Sequence, residues 1–138
     1  MDDAKDAELL SAMRKGITEA LGIIGEIGDG LLRCSDLLRV EQTDKVFIDL
    51  SEWIKNLGCL MDFIKELKRG VGYLKGVGTS TEPLLCWDRS FNVFEEMLSA
   101  FENKDWITLA DLIQYELHPL LVEGEKGLSE LKDTITVR

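Results

Sequence analysis

The chain has 138 residues, 45% hydrophobic and 30% charged, with only two prolines. That is the make-up of a single domain able to hold its own core without disulfide or metal, here read as residues 1–138. Its 26 acidic against 16 basic residues leave a net charge of −10, a field that repels phosphate backbones and anionic lipid surfaces and excludes nucleic-acid and membrane partners.

The first element is announced by apolar or small residues in an unbroken 3,4 alternation: Leu10, Met13, Ile17, Ala20, Ile24, Ile27, Leu31, Cys34 and Leu38. Such a heptad seam predicts a helix from about Ala4 to Val40 that needs helical partners. Its opening acids, Asp2, Asp3, Asp6 and Glu8, suit the positive end of a helix dipole. Gly22, Gly25, Gly28 and Gly30 interrupt it, each costing about 1 kcal/mol relative to alanine. Gly28-Asp29-Gly30 is therefore a candidate hinge. The seam keeps its register through the glycines, which favours a straight or gently bent helix with close backbone approach.

Gln42 and Thr43 form a polar break, and Thr43 or Asp44 can cap a second helix. Its seam is Phe47, Leu50, Ile54, Leu57, Met61 and Ile64, carried through Lys68 and as far as Leu74. The basic stretch here, Lys65, Lys68 and Arg69 with Lys75 beyond, is broken by Glu66 and has no stacking platform for bases. Gly76 to Thr81 reads as a loop, and Pro83 fits the first turn of a third helix over Glu82 to Glu102. The third seam is Leu84, Trp87, Phe91, Phe94, Leu98 and Phe101.

After Asn103-Lys104, Asp105 can cap a fourth helix with Trp106, Leu109, Ile113, Leu117, Leu120, Leu128, Leu131 and Ile135 along its apolar side. Pro119 should kink or split it. The fold class is therefore all-α, an antiparallel four-helix, up-down bundle with long helices. A third helix of about 21 residues reaches roughly 32 Å, whereas an unbroken first helix reaches roughly 55 Å. Part of the first seam is expected to lie uncovered.

The cysteines, Cys34, Cys59 and Cys86, are odd in number and set in apolar pattern, which reads as buried structural thiols in a reducing cytoplasm. The acidic start carries no export signal, and the window Ile17 to Leu32 holds Glu19, Glu26 and Asp29, too charged for a membrane span. His118 is the single histidine, so a site needing two imidazoles cannot form within one chain, and Tyr115 stands where a di-iron helix would carry Glu. No nucleophile or phosphate-loop signature is present, and no residue set calls for a cofactor.

Three features stand out from the seams. Glu116 falls inside the apolar arc of the fourth helix, and Lys68 occupies a seam position in the second, so the two are a candidate pair. Asp111, Tyr115 and His118 form a polar stripe with one aromatic ring, a candidate partner-binding patch. Trp53 falls beside its seam, where it either anchors the core or serves an interface.

The stretch Asp105-Trp106-Ile107-Thr108-Leu109-Ala110-Asp111-Leu112-Ile113-Gln114-Tyr115-Glu116-Leu117-His118-Pro119-Leu120 resembles a segment of uncharacterised bacterial helical-bundle proteins. In those, an Asp-aromatic start leads to Ala-Asp and then Tyr-Glu-Leu-x-Pro. The resemblance implies a bacterial source, marks Asp111, Tyr115, Glu116 and Pro119, and carries no activity with it. Gln114 stands where such segments more often have an acid.

Together these features describe a cytoplasmic bundle that works by protein–protein interaction, not catalysis. It would pair with itself as a homodimer or hold a partner helix in the manner of a chaperone or adaptor. The alternative is a small-molecule or cofactor-binding bundle with a pocket among Phe91, Phe94 and Trp106.

Overall fold

A computed structural model describes residues 3–74 and 80–135. Those residues are helical throughout apart from short joints, with no strand among them. Helix α1 spans Asp3–Val40 and α2 spans Asp44–Tyr73. A 3-10 turn, Glu82–Leu84, leads into α3, Trp87–Glu102. The C-terminal helix is built from α4, Trp106–Asp111, a π-helical turn, Leu112–Leu117, and α5, His118–Thr134. Most of the loop expected over Gly76 to Thr81 lies outside the described residues.

The joints follow from local chemistry. Thr43 caps α2, its hydroxyl accepting from the Val46 amide at 3.3 Å, and Asp105 caps α4 by accepting from the Thr108 amide at 3.3 Å. Between α3 and α4, Lys104 takes a left-handed conformation with φ of 56°. Its amide donates to Phe101 O and that of Asp105 to Ala100 O, the paired bonds that close a helix end. Pro83 sits in the 3-10 turn and not in an α-helical first turn, so α3 begins at Trp87, later than the expected Glu82.

All nine seam residues of α1 are buried, none more than 8% exposed. The uncovered stretch expected from the short third helix is absent. The reason is that α1 does not depend on α3 for cover: it packs against α2 on one side and the C-terminal helix on the other, both far longer than α3. Helix α1 is also continuous, with no hinge at Gly28 to Gly30. These two glycines instead allow close approach. The Trp53 indole lies where a Gly30 side chain would stand, and His118 and Leu121 close over Gly28. Gly16 likewise makes room for Phe63. Gly22 and Gly25 face open space.

Helix α3 departs from its expected seam. The residues that enter the core are Trp87, Ser90, Val93, Met97 and Ala100, whereas Phe91, Phe94 and Phe101 are half-buried and Leu98 is 40% exposed. Apolar side chains cover more than one face of this helix, so the 3,4 series alone did not locate the inward one. Small Ser90 and Ala100 can face the C-terminal helix closely, and Trp87 fixes the rotation. Its indole is fully buried and its Nε1–H donates to Gly124 O at 3.2 Å. The Ser90 hydroxyl is buried without a hydrogen-bond partner among the described residues.

Pro119 neither breaks nor ends the fourth helix. The chain stays helical from Trp106 to Thr134, and the preceding π turn, with the His118 amide bonded back to Ile113 O, accommodates the missing donor. The far end of this helix is held by Arg14, whose guanidinium donates to Lys132 O at 3.0 Å and Ile135 O at 2.8 Å. Leu109, Ile113, Leu117, Leu120, Leu128, Leu131 and Ile135 are all buried, and Trp106 is half-buried.

Candidate functional site

The π turn decides what the C-terminal helix shows to solvent. A π turn takes more residues per turn than an α-helix, so side chains beyond its start are rotated back from their α-helical directions. Glu116, which an ideal α-helix would put inside the apolar arc, is exposed. The pair expected between it and Lys68 does not form: the Lys68 ammonium donates to Asp88 Oδ1 at 2.6 Å instead. Tyr115 is carried outward and stands 67% exposed, flanked in sequence by the buried Ile113 and Leu117.

Both ends of the turn are tied to α1. At one end, Arg39 Nη2 donates to Asp111 Oδ1 at 2.7 Å and to Gln114 Oε1 at 3.0 Å. At the other, His118 packs over Gly28, and its Nε2 lies 4.0 Å from Asp29 Oδ1. The exposed Arg39–Asp111 pair contributes about 0–1 kcal/mol, so its role is orientation more than stability. Asp111, Tyr115 and His118 thus lie along one side of the helix, with Tyr115 as the projecting ring, while Glu116, two positions before His118, is exposed on a different side. Trp53 belongs elsewhere. It is half-buried between α1 and α2, across Gly30.

The aromatic residues considered for a pocket are used in packing. Trp106 stacks on Phe47 at 4.7 Å and meets Phe101 edge-on at 5.7 Å. Phe94 lies on Gly58, and Phe91 lies beneath the ammonium groups of Lys65 and Lys68, 5.4 and 5.8 Å from the ring centre. A cleft of about 670 Å³ opens elsewhere, between the 3-10 turn and α5, with Cys86 in its wall beneath the acidic Glu82, Glu123 and Glu130. Among the described residues no cluster of His, Cys, Asp or Glu is arranged to hold a metal ion.

The thiols differ from one another. Cys34 is buried and Cys86 half-buried, but Cys59 is exposed, contrary to the expectation of three buried thiols. It stands two positions past Leu57, on the outward side of α2. Burial pushes the Cys34 thiol above its ordinary range, with Asp49 adding to the shift. Burial does the same at Cys86, reinforced by Glu123. Thiols held protonated are poor nucleophiles. Under native conditions iodoacetamide should modify Cys59 first, Cys86 slowly and Cys34 only after unfolding, as read by intact mass. Equal rates at Cys34 and Cys59 would contradict these placements.

Residues 15–126 match a domain family of unknown function, DUF8042. The chain belongs to that family. The match runs from α1 just past Arg14 into α5, and so includes the π turn and the surface around Tyr115. No curated protein and no solved structure matches the chain. No helix among the described residues is long and apolar enough to cross a membrane. Sequence reasoning missed the π turn, whose signal was Pro119 following an apolar arc that contained a stray carboxylate.

Proposed function

We propose that this member of the DUF8042 family is a non-catalytic, cytoplasmic helical bundle that works by binding a partner protein at the surface around Tyr115. The frame is an antiparallel up-down bundle. The order of contacts supports that topology: ascending α1 through Arg14, Gly28 and Arg39, the partners on the C-terminal helix descend through Ile135, Leu121 and Asp111. Similarly Gly16 and Gly30 of α1 meet Phe63 and Trp53 of α2. Gly58 and Lys68 of α2 meet Phe94 and Asp88 of α3, and Pro83 and Trp87 meet Gly127 and Gly124.

The observation that carries the functional reading is Tyr115 itself, an aromatic ring left 67% exposed on a π turn. The bundle gains nothing from an exposed ring, and π turns recur at functional sites. A tyrosine supplies a large contact area while freezing few torsions, the property that makes it frequent among the residues that dominate protein interfaces. Arg39 hydrogen-bonds Asp111 and Gln114 before the ring and His118 packs over Gly28 after it, so the residues on both sides of Tyr115 contact α1. Burial disfavours the thiolate at Cys34 and Cys86, which makes these two poor nucleophiles.

The test is co-purification of a partner from the native cell with the wild type, with Tyr115→Ala and with Tyr73→Ala. Tyr73 is also highly exposed but lies at the end of α2, away from this surface. Capture by Tyr115→Ala should fall at least about tenfold, the loss expected of a dominant interface aromatic. Tyr73→Ala should capture normally. Retention by Tyr115→Ala would overturn the assignment.

A further inference from the structure

Helix α3 has a second apolar face that the fold only half uses. Its core face is Trp87, Ser90, Val93, Met97 and Ala100, yet Phe91, Phe94, Leu98 and Phe101 form a complete 3,4 seam beside it. A helix that is apolar on more than one side needs cover on more than one side. Helix α2 flanks this second seam at Phe91 and Phe94, and α3 touches α2 more sparingly than it touches the C-terminal helix. Phe94 and Phe101 find partners in Gly58 and Trp106. Phe91 is half-buried beneath Lys65 and Lys68, and Leu98, one heptad on, stays at the mouth of the groove at 40% exposure.

The rims of this groove carry opposite charge. On the α2 side Lys55 and Lys65 are exposed, interrupted by Asp62; Lys65 stands over the Phe91 ring, and Lys55 lies on the same flank three residues before Gly58. On the α3 side Glu95 and Glu102 are exposed, each four residues beyond Phe91 and Leu98 respectively. None of these four side chains makes an ion pair with another described residue.

The geometry points to a second copy of this chain as the occupant. A two-fold axis running along the groove places α2 of one copy over α3 of the other. The lysine rim of each then meets the carboxylate rim of its partner, while Leu98 of both copies closes the centre beside the lysine-covered Phe91. A self-complementary patch of this kind is what an isologous interface requires. The surface is distinct from that of Tyr115, and the inference does not depend on the function proposed there.

Light scattering coupled to size exclusion should give a mass twice the 15.6 kDa of the chain, falling towards the monomer on dilution. Leu98→Glu, at a half-exposed position the fold tolerates, should yield monomer with an unchanged helical circular dichroism spectrum. The deciding arm is charge exchange. Lys55→Glu/Lys65→Glu gives two acidic rims and Glu95→Lys/Glu102→Lys gives two basic ones, so each should self-associate at least about tenfold more weakly than wild type. Mixed in equal amounts they should restore a dimer, and Tyr115→Ala should remain dimeric throughout. A monomer at every concentration would overturn the inference and leave the groove to another chain. So would a dimer indifferent to Leu98→Glu, or a mixture that fails to pair.

Discussion

Trp87→Ala is expected to cost about 3–5 kcal/mol of unfolding free energy, a large share of the roughly 5–15 kcal/mol available to a domain of this size. The indole is fully buried at the start of α3, and its N–H reaches Gly124 O on α5. A Gly124 Cβ would come within 2.5 Å of the ring, so the indole lies directly on the α5 backbone. Removing the ring leaves a cavity against that backbone which cannot close without moving α3. Equilibrium urea unfolding followed by circular dichroism measures the loss, and a cost below about 1 kcal/mol would show that α3 is not fixed in this way.

The second large effect is at glycine, where one substitution should act in opposite directions at different sites. At Gly127 a Cβ would collide with the carbonyl oxygen of Pro83, a backbone atom of the 3-10 turn that leads into α3. Gly127→Ala therefore has to push the turn away from α5, with an expected cost of about 1–3 kcal/mol. At Gly22 and Gly25 a Cβ meets nothing within 4 Å. There alanine should stabilise the helix, by about 1 kcal/mol at each position. Thermal melts of the three variants give the comparison directly: a lowered midpoint for Gly127→Ala and a raised one for the other two.

The contrast also shows how far the sequence could be read. The α1 seam from Leu10 to Leu38 was legible because a strict 3,4 pattern over so many turns has one inward face, and every member of it is buried. The caps at Thr43 and Asp105 were legible because a hydroxyl or carboxylate before a helix has one local use. Helix α3 was not. With apolar residues on two adjacent faces, its rotation is set by Trp87 finding space over Gly124, a contact between residues far apart in sequence. Gly22, Gly25, Gly28 and Gly30 looked equivalent in sequence, yet Gly30 and Gly28 are matched to Trp53 and His118 while Gly22 and Gly25 meet nothing among the described residues.

The Tyr115 surface was visible as spacing but not as shape. Asp111, Tyr115 and His118 fall on one side of an α-helix at intervals of four and three, and that much periodicity reveals. That Arg39 and Asp29 of α1 meet its two ends, and that a π turn rotates Glu116 out of the apolar arc, depend on how Pro119 is accommodated against a neighbouring helix. Local sequence gives no measure of that accommodation.

The most direct test of the binding role is a photo-crosslinking phenylalanine analogue placed at position 115 in the native cell, with Thr18 on the exposed side of α1 as the control position. The account predicts a discrete higher-mass adduct from position 115 and none from position 18. No adduct at 115, or the same pattern from both positions, would contradict it.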